Sequence, residues 1–99
     1  MTVTRVFRVQ ATGRVDEGSS SPFITSAQPD GRVRVMCASR PDFCVEIMVA
    51  SMVAPHVSLL RAHHADTRLT VHDDDEIVVC RLDSVLCPAF WMDITISLA

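Results

Sequence analysis

The stretch Phe90-Trp91-Met92-Asp93-Ile94-Thr95-Ile96-Ser97-Leu98 places Phe90, Met92, Ile94, Ile96 and Leu98 on one parity and Trp91, Asp93, Thr95 and Ser97 on the other. Successive side chains of an extended backbone point to opposite faces. An unbroken period of two therefore describes a strand with one face in a core and one face turned outward.

Working back from this strand, Ile77-Val-Val-Cys-Arg-Leu82 is a strong β run and Arg68 to Val71 a shorter one. Asp73-Asp74-Asp75-Glu76 lies between them as an acidic turn, which makes the pair a hairpin. Asp83 to Pro88 reads as the turn that leads into the last strand. Further upstream, Val33, Val35 and Cys37 alternate with Arg32, Arg34 and Met36. The run from Phe43 to Val53 is apolar on both parities. Its Val45, Ile47 and Val49 are β-branched at a spacing of two, which favours a strand buried on both faces over a helix. Turns are expected at Ser39 to Asp42 and at Gln28-Pro29-Asp30-Gly31, where Pro sets φ and Gly supplies positive φ. Pro22 to Ala27 forms a short strand, and a first, less regular strand runs through Val3, Phe7 and Val9. Between these two, Thr12 to Pro22 reads as a long loop. Pro55 breaks the chain, and His56 to Ala65 fits either a strand or a short helix. Seven or eight strands joined by short turns, with no long helix and no βαβ rhythm, give an all-β fold: an antiparallel eight-stranded β-sandwich or jelly roll.

The 99 residues suit a single domain over 1–99, because a chain of this size buries roughly 65% of its unfolded surface. Apolar residues make up 48% of the chain. They are interrupted every second or third position, so no transmembrane segment is expected. Arg5 and Arg8 interrupt the N-terminal apolar run, which argues against a signal peptide and for an intracellular protein. Lys, Asn and Tyr are absent. Net charge is −3, unevenly spread: up to Arg40 six Arg face three acids, and beyond it three Arg face nine. Such a division suits electrostatic self-complementarity or a polar partner.

Chemistry-bearing motifs are sparse. Cys37 and Cys44, like Cys80 and Cys87, are separated by six residues, a spacing too long for a zinc knuckle. Cys37 and Cys80 instead read as small core residues. His63, His64 and His72, with Asp66 and Asp73, supply metal-ligand types without ligand spacing, and read as solvated loop residues. Three glycines leave no phosphate-binding loop and no nucleophile elbow, so neither catalysis, a metal nor a cofactor is expected. An acidic chain with five aromatic residues is a poor nucleic-acid binder. The tetrad Asp73, Asp74, Asp75 and Glu76 stands out, since adjacent carboxylates repel one another and suit a basic partner.

Taken together, Arg32-Val-Arg-Val-Met-Cys37, Phe43-Cys-Val-Glu-Ile-Met48, Leu69 to Leu82 and the closing strand resemble the nucleoplasmin-like domain, in the version fused to nuclear prolyl isomerases. The resemblance covers about Gly31 to the end. It implies a jelly roll that assembles into a homo-oligomer, a pentameric ring, and acts in the nucleus as a histone chaperone, with a cytoplasmic protein as the alternative. Histones or another basic protein would meet Asp73, Asp74, Asp75 and Glu76, and Asp16 and Glu17 would belong to a further acidic loop. Trp91, a large aromatic on the polar face of the last strand, would be covered in the oligomer interface. The sequence departs from the family at Asp83 and at Ile94 to Ser97, where glycine and aromatic residues are usual. The alternative reading is a structural β-sandwich interaction module with a non-histone partner.

Overall fold

The computed structural model describes residues 7–16, 19–20, 22–50, 56–74 and 77–98. Val3, Glu17, Val53, Pro55, Asp75, Glu76 and Ala99 lie outside the described residues. The fold is all-β, and the described residues contain no helix. The strands are β1 (Phe7–Asp16), β2 (Ser19–Ser20), β3 (Phe23–Ala27), β4 (Arg32–Cys37), β5 (Arg40–Val49), β6 (Val57–Arg61), β7 (Arg68–Asp74), β8 (Ile77–Asp83) and β9 (Trp91–Leu98). They form two antiparallel sheets, one in the order β2-β1-β9-β8-β7 and one in the order β3-β4-β5-β6, which we call the first and second sheets.

The alternation read in the last strand is what the first sheet buries. Met92, Ile94 and Ile96 are inaccessible or nearly so, while Trp91, Asp93, Thr95 and Ser97 are half-buried on the outer face. Val78, Cys80 and Leu82 of β8 stand beside them, opposite Ile96, Ile94 and Met92. From the second sheet, Val33 and Val35 of β4 and Phe43, Val45, Ile47 and Val49 of β5 complete the same core. The rings of Phe43 and Phe90 meet across it with centroids 6.2 Å apart. The two sheets thus share one core in a β-sandwich-like arrangement, with each fully buried Val, Leu, Ile or Phe worth about 1.5–3 kcal/mol. Cys37 and Cys80 belong to that core, as their neighbours suggested, and all four cysteines are free thiols.

The strand order differs from the expected jelly roll. A jelly roll interleaves its strands through two Greek keys, placing strands side by side that are distant in sequence. Here every hydrogen-bonded neighbour is consecutive in the chain except β1, which lies beside β9. The chain runs as a meander through both sheets.

Three local expectations are corrected, and one left open in the sequence is resolved. Thr12 to Asp16 belongs to β1 rather than a loop: Val15 is fully buried, and Gly13 lets the strand approach β9 so closely that an added Cβ would collide with the Trp91 carbonyl oxygen. The turn between β4 and β5 narrows to Ala38 and Ser39, so Arg40, Pro41 and Asp42 open β5, with Pro41 outside the stretch that pairs with β6, where its missing N–H costs no ladder bond. Residues 56–65, compatible with strand or helix in sequence, fold as β6 followed by a turn over 63–66. The even-numbered side of β5 is also more open than expected, with Cys44, Glu46 and Met48 half-buried on the outer face of the second sheet.

Candidate acidic docking tip

β7 and β8 pair in unbroken register from Arg68 opposite Asp83 to Asp74 opposite Ile77. Leu69 and Val71 turn toward the core, and Thr70 and His72 face outward. Asp73 continues the inward parity of Leu69 and Val71, opposite the buried Val78, yet is itself exposed, and Asp74 lies on the outward parity opposite Ile77. Asp73 and Asp74 are therefore strand residues rather than turn residues, a correction to the sequence reading. Both are exposed, and because they are adjacent in a strand their carboxylates leave opposite faces of the ribbon. Asp74 pairs with Ile77 in the ladder, an exposed apolar side chain on the outer face.

What distinguishes these two aspartates is that, among the described residues, nothing engages them. Every other described side-chain carboxylate has a partner. Asp16 and Asp42 pair with Arg40, Glu46 with Arg32 and Arg34, Asp83 with Arg68, and Asp93 with Arg81. Asp66 accepts from Ser84 and from the Leu86 N–H, and Asp30 accepts from the Arg32 N–H. Asp73 and Asp74 have no such role in the described fold, so their charge is available to another molecule.

Asp16 is not part of this tip. It lies at the other end of the first sheet, six or more strand residues away. At the rise of an extended chain that separation is about 20 Å. The guanidinium of Arg40 neutralises it. Trp91 stands on the outer face of the first sheet, half-buried, with the Arg81 guanidinium 5.1 Å above its ring centroid. Asp93 holds that guanidinium through a 3.4 Å contact. Arg81 therefore covers part of the indole from within the same chain.

The histidines divide. His72 is exposed on β7, as expected, but His63 and His64 are packed rather than solvated. The His63 ring lies 5.0 Å from Phe43 and 4.8 Å from His64, which in turn lies 4.8 Å from Phe90. Burial, reinforced by the neighbouring His64, holds His63 below the ordinary imidazole pKa and favours its neutral form. Ser84, Asp66 and His64 do not form a nucleophile, base and orienting group. Ser84 Oγ donates to Asp66 and accepts from the Cys87 N–H, while His64 Nε2 faces the Val15 carbonyl at 3.4 Å. Among the described residues no group of three His, Cys, Asp or Glu side chains is placed to hold a metal ion.

Sequence reasoning missed a second charged array. Ser26, Arg34, Glu46 and Arg61 stand in one row across the outer face of the second sheet, and Arg32 reaches Glu46 at 3.1 Å. The same parity of Arg32 and Arg34 was visible; the β5 and β6 partners that bring Glu46 and Arg61 alongside were not. Comparison with known proteins finds no matching family model, no matching curated protein and no matching solved structure.

Proposed function

We propose that this β-sandwich-like domain is a non-catalytic protein-interaction module that receives a basic protein segment on its acidic β7–β8 tip. The observation that carries the reading is the freedom of Asp73 and Asp74, beside described carboxylates that are otherwise all engaged. Asp75 and Glu76 follow them directly in sequence and add to the same charge. Histones are the basic partner named by the nucleoplasmin-like resemblance, and a nuclear, ring-forming chaperone is the narrower form of the proposal. The meander order favours the broader form, because the family's jelly roll would interleave its strands.

Fluorescence titration of labelled core histones, and separately of an arginine-rich peptide, tests both forms. Asp73→Ser/Asp74→Ser is expected to weaken binding about tenfold, as loss of two charge pairs of roughly 0.7 kcal/mol each requires. Binding to both ligands supports the module, and binding to histones alone supports the chaperone form. Affinity unchanged in the variant, or no binding to either ligand at low salt, would overturn the reading.

A further inference from the structure

We infer that the outer face of the second sheet docks the acidic tip of a second copy of this chain. The inference rests on the reading of the tip as an acidic docking element and supplies it with a specific partner surface.

The face is built to be positive toward solvent. Arg34, Glu46 and Arg61 are cross-strand neighbours, and Arg32 and Arg34 share the one carboxylate of Glu46 at 3.1 and 3.3 Å. The Glu46 side chain is only 12% accessible, whereas those of Arg32 and Arg34 are 39% and 42% accessible. The negative charge is thus sunk beneath the guanidiniums. Arg61 is exposed, and among the described residues no ion pair engages it. Two guanidiniums over one submerged carboxylate, with Arg61 exposed on the neighbouring strand, leave an excess of positive charge on this face, and Arg presents donors suited to two carboxylate oxygens at once.

The tip is the complement, with unengaged Asp73 and Asp74 and the neighbouring Asp75 and Glu76 in sequence. Apolar surface accompanies charge on both sides: Ile77 stands beside Asp74, and Met36 and Ile24 pair at one end of the Arg face. Tip and face belong to different sheets of the same molecule. Each copy therefore offers one of each, and the contact is head-to-tail, the kind that closes into rings when its rotation permits.

Sedimentation velocity on the whole chain tests this, with thermal melts to establish that each variant is folded. At low salt the average mass is expected to rise with protein concentration. It should return to that of a monomer at about 0.5 M salt, where screening acts over only about 4 Å. Arg34→Glu/Arg61→Glu and Asp73→Arg/Asp74→Arg should each be monomeric alone. Mixed in equal amounts they should associate again, because the reversed tip of one then meets the reversed face of the other. A wild-type monomer at low salt, association that survives either variant, or no recovery in the mixture would overturn the inference. Histone titration separates this from the reading on which it rests. Arg34→Glu/Arg61→Glu retains the tip and should still bind histones, so association lost with histone binding intact supports self-docking. Association unchanged in Asp73→Ser/Asp74→Ser with histone binding lost would refute self-docking alone.

Discussion

Ser84 donates a 2.6 Å hydrogen bond to Asp66 across a separation of eighteen residues, and the same carboxylate accepts the Leu86 N–H at 2.8 Å. Through these contacts the turn that precedes β7 fixes the loop between β8 and β9. Those two bonds hold the Asp66 carboxyl below the ordinary aspartate pKa, since both favour its charged form.

Ser84→Ala removes a buried hydroxyl that both donates to Asp66 and accepts from Cys87. The loss is expected to be about 2 kcal/mol in urea unfolding. Because Asp66 has a lowered pKa in the folded state, its contribution is present above the unfolded aspartate value and disappears as pH falls through the folded one. Asp66→Asn should therefore flatten the acid limb of the stability profile. An unchanged limb would show that Asp66 does not clamp the loop.

Gly13→Ala forces a methyl group into the Trp91 carbonyl, where backbone rather than a flexible side chain must yield. A loss of at least about 2 kcal/mol is expected, in the middle of the range for overpacking. A melting temperature equal to the wild type's would show that β1 and β9 are less closely joined than described.

Ile47→Ala empties a fully buried site. It should cost about 3–4 kcal/mol. The Leu86 side chain, by contrast, is 85% exposed. Leu86→Ala should change stability by no more than ~0.5 kcal/mol. Paired chemical denaturation curves check the contrast. Equal losses would contradict the placement of the core.

His63 is held neutral by burial, so the unfolded chain binds its proton first as pH falls. Stability should decline below about 6.5, the ordinary histidine value, and level off once the folded-state value is passed. His63→Gln should remove that segment of the profile, as thermal melts at closely spaced pH values will show.

Arg81→Ala uncovers the chain's single Trp. Its emission should shift to longer wavelength and become more accessible to iodide, with unfolding changed by no more than about 1 kcal/mol. Unaltered emission would mean that the guanidinium does not cover the ring in solution.

The parts of this fold that were legible in the sequence are those in which one residue's face dictates the next. The alternation of Phe90 to Leu98 and of Arg32 to Cys37 told which side was buried, because solvent penalises an apolar side chain at each outward position. Pairing was less legible. Nothing local distinguishes a meander from a jelly roll, since both use similar strands and differ in which distant backbone meets which. The polarity of Thr12, Gly13 and Arg14 disguised a strand, because only Val15 among its last residues is fully buried and Gly13 serves the neighbouring backbone. The acidic tip was visible as composition; that Asp73 and Asp74 are unengaged depends on where Arg34, Arg40, Arg68 and Arg81 come to rest. His63 and His64 read as solvated because their stacking partners, Phe43 and Phe90, are far from them in sequence.

The pairing of β1 with β9, Phe7 opposite Leu98, sets the tempo at which the domain can be made. The β4–β5 and β7–β8 hairpins can zip as soon as their turns leave the ribosome, since the loops to be closed are short. Apart from its short pairing with β2, β1 must wait for its ladder until β9 has been synthesised, and the long-range closure then required places the chain among slow folders. During that interval an unpaired strand edge is exposed, so the first strand, rather than the core, is where a nascent chain is most open to pairing with a neighbour.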